Sequence, residues 1–278
     1  MDDAANKPGE QLPSSGKPAQ ANVDQSAGKP ADWDASTYGR VSTPQQEWAV
    51  DVLQRLELKG DETVVDAGCG SGNVTLALLE ALPDGEVIAV DGSPSMVEAA
   101  RERVGTDRVE YSVQDLTNLN LDRQVDGIFS NATFHWIPDH KSLFRSLFDV
   151  LKPGGRFVAQ CGGRGNVSDI QVALKQVCTE EPFAEYISEL ASPWNFAGPE
   201  ETEIRLTEAG FTDPECWLEE RVAMPQDPLG FMRASTMAPQ LEALPAELHE
   251  QYVDRFFEIA GHPEHFNYVR LNMVAGRP

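Results

Sequence analysis

Basic residues are scarce in this chain: 22 Lys and Arg stand against 45 Asp and Glu, for a formal net charge of -23 at pH 7. Affinity for nucleic acid is built on Lys and Arg displacing counterions from phosphates, so no DNA or RNA partner is expected. Cysteine is scarce too. Cys69, Cys161, Cys178 and Cys216 form no Cys-x-x-Cys pair, and disulfides are not expected. Long apolar runs are missing: no window approaches the roughly 20 apolar residues that span a bilayer. The chain start lacks a basic stretch followed by an apolar one, as an export signal would have. The expectation is a soluble, cytoplasmic protein with no membrane partner, and one substantial core rather than two large domains.

The acidic excess does not sit in a tail, because Lys7, Lys17 and Lys29 offset Asp2, Asp3, Glu10 and Asp24 in the first thirty residues. It belongs to the folded body. So acidic a surface suits a salt-rich cytoplasm, where screening relieves self-repulsion. Residues 1–30 are Ala, Pro, Gly, Ser and Gln with almost no large apolar side chain, which predicts a disordered tail. Residues 31–278 are expected to form the functional domain.

From Val41 to Leu58, Trp48, Val52, Leu53 and Leu56 recur at helical spacing before Lys59-Gly60-Asp61 interrupts. Regular alternation follows. Strands are predicted over Thr63–Ala67, Glu86–Val90, Val109–Val113, Val125–Ser130 and Arg156–Gln160, with helices over Asn73–Leu82, Ser95–Val104 and His140–Leu151. Pro153-Gly154-Gly155 is expected to turn the last helix into its strand. This pattern predicts an α/β, doubly wound parallel sheet whose strand-to-helix loops line one edge. Beyond Cys161 the pattern loosens. Val167–Cys178 and Glu200–Ala209 read as helices, and Thr212–Val222 and His265–Ala275 as long strands, the second able to return antiparallel at the sheet edge. Residues 180–198 and 225–262 read as a cap over the site, the latter mostly helical.

Chemistry concentrates at the strand ends. Asp66-Ala-Gly-Cys-Gly-Ser-Gly72 places small residues wherever backbone must turn sharply or meet a ligand closely, and the next helix aims its amides there. The spacing is Gly-x-Gly-x-Gly, whereas the dinucleotide fingerprint is Gly-x-Gly-x-x-Gly. S-adenosylmethionine carries no pyrophosphate but does carry an amino group and a sulfonium, which a carboxylate at Asp66 would complement. Asp91 ends the second strand where a ribose would present its hydroxyls, although Gly92-Ser93-Pro94 also makes it a natural helix cap. Asp115 ends the third strand, suited to the amino group of adenine or to capping the segment after it. Leu116 and Met96 are placed to sandwich that ring.

The chain thus resembles the class I S-adenosylmethionine-dependent methyltransferases, closely from about Trp33 to Gln160 and by architecture beyond. Phe129-Ser-Asn-Ala-Thr-Phe-His-Trp136 with Ile137-Pro-Asp-His140 is similar to the trans-aconitate methyltransferase group and related enzymes that methylate carboxylates. The resemblance implies a mostly parallel seven-stranded sheet of order 3-2-1-4-5-7-6 with strand seven antiparallel. It also implies cofactor contacts at Asp66, Gly68, Gly70, Asp91, Met96, Gln114, Asp115, Leu116 and Asn131, and no metal. Trp33 to Arg40 resembles the lid that folds over the cofactor, with Tyr38 and Arg40 as further contacts. The Asn-Pro-Pro-Tyr motif that holds a planar nitrogen is absent, and Asn131-Ala-Thr-Phe stands in its place.

The expected reaction is methyl transfer to a small molecule, foremost O-methylation of a carboxylic acid. C- or N-methylation of small or quinone-type metabolites remains open, as does a cofactor-binding protein without catalysis. His135 and Trp136 are the candidate pocket residues, His135 as the base that a hydroxyl or carbon acceptor would need and a carboxylate would not. Arg164, Arg233 and Arg40 are the candidate cations for a carboxylate. A monomer or a homodimer is expected.

Overall fold

A computed structural model of the protein describes residues 43–278, with side chains from Trp48 onward. The predicted tail, together with Tyr38 and Arg40, lies outside the described residues. Strand β1 (Thr63–Ala67) is buried from Val64 on, as a strand covered on both faces must be. It pairs in parallel with β2 (Glu86–Asp91) and β4 (Val125–Asn131). Strand β3 (Val109–Val113) extends one side, and β5 (Leu151–Gly162), β7 (Phe266–Gly276) and β6 (Thr212–Ala223) extend the other. The seven strands run in the order β3-β2-β1-β4-β5-β7-β6, with β7 antiparallel to both neighbours.

Because side chains alternate across a strand, each strand feeds two apolar layers. Val65, Ala67, Ile128, Phe157 and Ala159 face one layer, built with Leu143, Phe144 and Leu147 of helix α4 and Leu206 of helix α7. Val64, Phe129 and Val158 face the other, against Val52 of α1, Leu56 just beyond that helix, Leu78 of α2 and Ala100 of α3. These helices span Thr43–Gln54 (α1), Asn73–Ala81 (α2), Pro94–Val104 (α3), His140–Val150 (α4) and Pro199–Ala209 (α7). Helix α4 starts where Asp139 accepts a bond from the Ser142 amide at 3.0 Å. A third apolar cluster joins helices α5 (Ser168–Val177), α6 (Ala184–Ile187), α8 (Pro228–Ala234), α9 (Ala238–Ala243) and α10 (His249–Ala260) to Trp48, Phe266 and Tyr268.

The sheet order is the one the resemblance implied; of the two long strands β6 is at the edge, and β7, which the residue pattern alone also allowed there, is inner, with Arg270, Leu271, Asn272 and Met273 buried in succession while β6 is exposed at alternate positions. Strand β5 begins earlier than predicted. Leu151 already pairs with Val125, and the register then shifts so that Arg156 meets Gly127, which makes Pro153-Gly154-Gly155 a bulge inside the strand.

Candidate active site

The loop from β1 to α2 is fixed at Gly68 by a neighbour that leaves no room for a side chain. Gly68 has φ +85°, and a Cβ there would meet the Thr133 side chain at 2.1 Å, so only glycine lets the β1 and β4 exits close on each other. Thr133 Oγ1 donates to the Gly68 carbonyl at 3.2 Å across that contact. Gly70 is the opposite case: at φ +52° its Cβ would meet nothing within 4 Å, so open space lies before the loop. Beside it the Ser71 hydroxyl is buried with no hydrogen-bond partner among the described residues.

Two carboxylates flank the loop. Asp66 is buried and accepts from Thr75 Oγ1 at 2.7 Å, and burial, reinforced by the nearby Asp91 charge, pushes its carboxyl up to about 7. Asp91 accepts from the Gly70 amide on Oδ2 and the Ser93 amide on Oδ1, both at 2.9 Å. Burial still raises its pKa above the ordinary value, against the pull of those amides. Met96 and Leu116 are buried at the starts of the segments after β2 and β3. Asp115 caps the turn after β3, taking the Thr117 amide and hydroxyl on Oδ1 at 2.8 Å each. The Gln114 side chain is bound to that same turn: it donates to Ser112 Oγ and Asn120 O and accepts the Asn120 amide.

The exit of β4 carries the other half of the site. Asn131 ends the strand, Ala132 takes φ +60°, and a 3-10 turn from Phe134 to Trp136 comes next. His140 Nε2 donates to the Phe134 carbonyl at 3.0 Å and so ties that turn to α4. His135 is buried. Its Nδ1 accepts the Gly162 amide at 3.2 Å, which puts the ring proton of the neutral form on Nε2. Burial first, then the Arg270 charge and His140, hold its pKa well below the ordinary histidine value. Ala132, His135 and Trp136 line one pocket with Asn166 and Val167 from beyond β5, Trp194 and Phe196, Ser235 and Thr236, and Tyr268 and Arg270 of β7. Trp194 meets Trp136 edge-on at 5.7 Å and stacks on Phe196 at 5.4 Å. The open space before the glycine loop, the two raised carboxylates beside it and the aromatic pocket that begins at Ala132 all stand at the carboxyl ends of β1, β2 and β4.

Comparison with known proteins gives this geometry a family. A family profile described as a methyltransferase domain matches residues 64–155. The trans-aconitate 2-methyltransferase of Methylobacterium nodulans is 31% identical over 81% of this chain and 88% of its own. That of Azoarcus sp. is 30% identical over 88% and 99%. The chain belongs to the class I S-adenosylmethionine-dependent methyltransferases. The fold agrees: a phosphoethanolamine N-methyltransferase of Haemonchus contortus, solved with S-adenosylmethionine, superposes with a TM-score of 0.57 at 21% identity, covering 89% of this chain and 57% of that one. The YcgJ protein of Bacillus subtilis gives 0.60 at 17% identity over 83% and 98%.

The methyltransferase cofactor is S-adenosylmethionine, and the loop fits it: a cationic ligand matches the buried carboxylates of Asp66 and Asp91, whose pKa values burial raises, and the space before Gly70 admits close backbone approach. The structure gathers Asp66, Gly68, Gly70, Asp91, Met96, Leu116 and Asn131 along the carboxyl ends of β1, β2 and β4 or in the segments just beyond β1, β2 and β3. Gln114 and Asp115 reach the same edge with side chains partly committed to their own turn. Among the cations, Arg164 is not in the pocket but pairs with Glu200 and Glu201 at 3.6 and 2.8 Å. Arg233 pairs with Glu250 on the surface. Among the described residues the arginine that lines the pocket is Arg270, 1% exposed, which was not among the sequence candidates, while Arg40 lies outside the described residues. Among the described residues no His, Cys, Asp or Glu cluster is arranged to hold a metal, and no helix is long and apolar enough to cross a membrane.

Proposed function

We propose that this methyltransferase esterifies a carboxylate of a small organic acid. The observation that carries the reading is the state of His135. A hydroxyl or carbon acceptor must lose a proton, and the histidine lining the pocket has its one basic nitrogen taken up by the Gly162 amide and its pKa depressed by burial. A carboxylate is ionised at neutral pH and asks for no base. The named acceptor of the relatives, trans-aconitate, is such an acid. The acidic surface argues in the same direction against nucleic acid.

S-adenosylmethionine, when bound, would supply the methyl group from its sulfonium, with the neutral thioether as leaving group. The chain supplies alignment and dryness. The β1 loop and the β4 exit, joined at Gly68 and Thr133, set where the methyl points relative to the pocket. Trp136, Trp194 and Phe196 exclude water that would compete for the methyl or shield the acceptor charge. We take residues 31–278 as the catalytic domain and the segments 180–198 and 225–262 as its cap, since they contribute Trp194, Phe196, Ser235 and Thr236 to the wall. His135, in this reading, donates from Nε2 and orients the acceptor.

The test is transfer of labelled methyl from S-adenosylmethionine to small carboxylic acids, phenols and amines. Label released as methanol by mild base is expected with acids only. Base-stable product from phenols or amines alone overturns the proposal. In the same assay His135→Ala should retain acid methylation to within about tenfold, whereas loss of the roughly 10²–10⁴ typical of a general base would contradict it.

A further inference from the structure

Between β5 and α5 the chain makes a tight turn, and Asn166 in that turn is a wall residue of the aromatic pocket although only 3% exposed. Gly163 donates its amide to the Val269 carbonyl of β7 at 2.8 Å, and Gln171 of α5 donates its side chain to the Asn166 carbonyl at 2.7 Å, so the turn is fastened on both sides. The Asn166 side chain is fastened as well. Its Oδ1 accepts the Val269 amide at 3.0 Å. A backbone N–H only donates, so the atom facing Val269 is the carbonyl oxygen and the NH2 group takes the other side of the amide. That side lies over Gly162: a Cβ there would meet Asn166 Nδ2 at 2.8 Å and Phe196 Cε1 at 2.6 Å. The Gly162 amide is the one that His135 Nδ1 accepts, at 3.2 Å. A residue without a side chain thus brings together Nδ2, the Phe196 edge and the His135 ring, all of them on pocket-lining residues. Among the described residues nothing accepts from Nδ2. A buried N–H is costly to leave without an acceptor, and this one stands on the wall of a cavity where a ligand oxygen can complete it.

We propose that Asn166 selects the acceptor by donating from Nδ2 to an oxygen at the end of the molecule that does not react. The inference rests on the reading of the acceptor as an organic acid, and adds that this acid carries a second oxygen group, a carboxylate or a carbonyl. Position decides which end is held. In the sheet β5 lies beyond β4 from β1, so Asn166 stands on the side of the pocket away from the cofactor loop, and the reacting carboxylate belongs nearer that loop. An amide NH2 gives hydrogens and accepts none, so it favours an oxygen and offers nothing to an ammonium or a methyl terminus. Gly162 is part of the arrangement, because any larger residue there would strike both Nδ2 and Phe196.

The experiment gives the full chain small acids of one carbon-chain length, a dicarboxylate, the ω-amino monocarboxylate and the methyl-terminated monocarboxylate, in labelled methyl transfer and in calorimetric titration of the S-adenosylhomocysteine complex. The native chain should favour the dicarboxylate over the methyl-terminated acid by at least about tenfold in kcat/KM, carried by KM and not by kcat. Asn166→Asp keeps the bond to the Val269 amide but sets an acceptor where the donor stood. The ω-amino acid should then overtake the dicarboxylate, with S-adenosylhomocysteine affinity unchanged. Asn166→Ala should bring the dicarboxylate down to the methyl-terminated acid; because it leaves the Val269 amide unpaired and can unsettle the turn, the isosteric Asn166→Asp decides where the two disagree. A merely structural role would lower all the acids in parallel. Parallel losses, no preference in the native chain, or a preference for the dicarboxylate that Asn166→Asp retains overturns the assignment. Acids that bind in the expected order, reversed by Asn166→Asp, without being methylated refute the proposed reaction and leave Asn166 standing; acids methylated in the same order by native and variant chains do the reverse, and acids neither bound nor methylated overturn both.

Discussion

Asp66 is a carboxyl that burial keeps part-protonated at neutral pH, next to a loop whose cofactor is a cation. Its pKa of about 7 in the fold lies above the ordinary 3.8, so between those values the folded state holds more protons than the unfolded one. This group therefore contributes stability that is full below about pH 4 and is lost as pH rises through about 7. Cofactor binding runs the other way, since a cation favours the ionised form. Affinity for S-adenosylmethionine should weaken up to about tenfold for each pH unit below 7 in a calorimetric titration, through one linked proton. The raised pKa of Asp91 acts in the same direction. Asp66→Asn should bind more weakly at pH 8 and lose most of this slope; an unaltered slope in that variant would assign the proton elsewhere.

Between elements, the β1 and β4 exits meet at Gly68, where a methyl group would both strain a left-handed backbone and strike Thr133. Gly68→Ala should cost about 1–3 kcal/mol in urea unfolding and weaken cofactor binding more than it weakens the fold, because the displaced element is the loop itself. Helix α4 offers a contrast away from the cofactor loop. Leu147 is fully buried in the layer that also holds Phe144 and Phe157, so Leu147→Ala should cost about 2–5 kcal/mol and leave cofactor affinity per folded molecule intact. The same distinction explains what could be read in advance. Strand-end acids and the glycine loop were legible because their spacing is local, and the alternation of buried runs gave the sheet. The relative places of β6 and β7 were not legible from the residues: each is a long strand, and only the burial of four successive β7 residues reveals which is inner. Arg270 escaped because a lone arginine in a long strand reads as solvent-facing, and its burial is a property of the fold. Arg164 was mistaken for a pocket cation because its partner Glu201 lies 37 residues away and only the fold pairs them.

At the scale of the whole molecule the surplus of acid governs behaviour in salt. If every one of the 22 basic residues took one of the 45 carboxylates, 45 minus 22 would leave 23 carboxylates without a cation. The ion pairs that do form are mostly half-exposed, such as Arg145–Asp149 at 3.2 Å and Arg123–Glu110 at 3.1 Å, and each contributes only about 0–1 kcal/mol. Added salt weakens those few pairs and at the same time relieves repulsion among the unpaired majority. Raising ionic strength from about 0.1 to about 1 M shortens the screening length from about 10 to about 3 Å, which uncouples carboxylates spread over the surface while close pairs still touch. Repulsion should therefore be the larger quantity removed. Thermal unfolding in potassium chloride between about 0.02 and about 1 M should show a steadily rising midpoint, most steeply at the low end where screening changes fastest. An equal concentration of sucrose, which acts by exclusion from the surface and not by screening, should not reproduce that early rise. A midpoint that falls as salt is first added would mean that the paired charges outweigh the unpaired ones, and would count against a fold adapted to high salt.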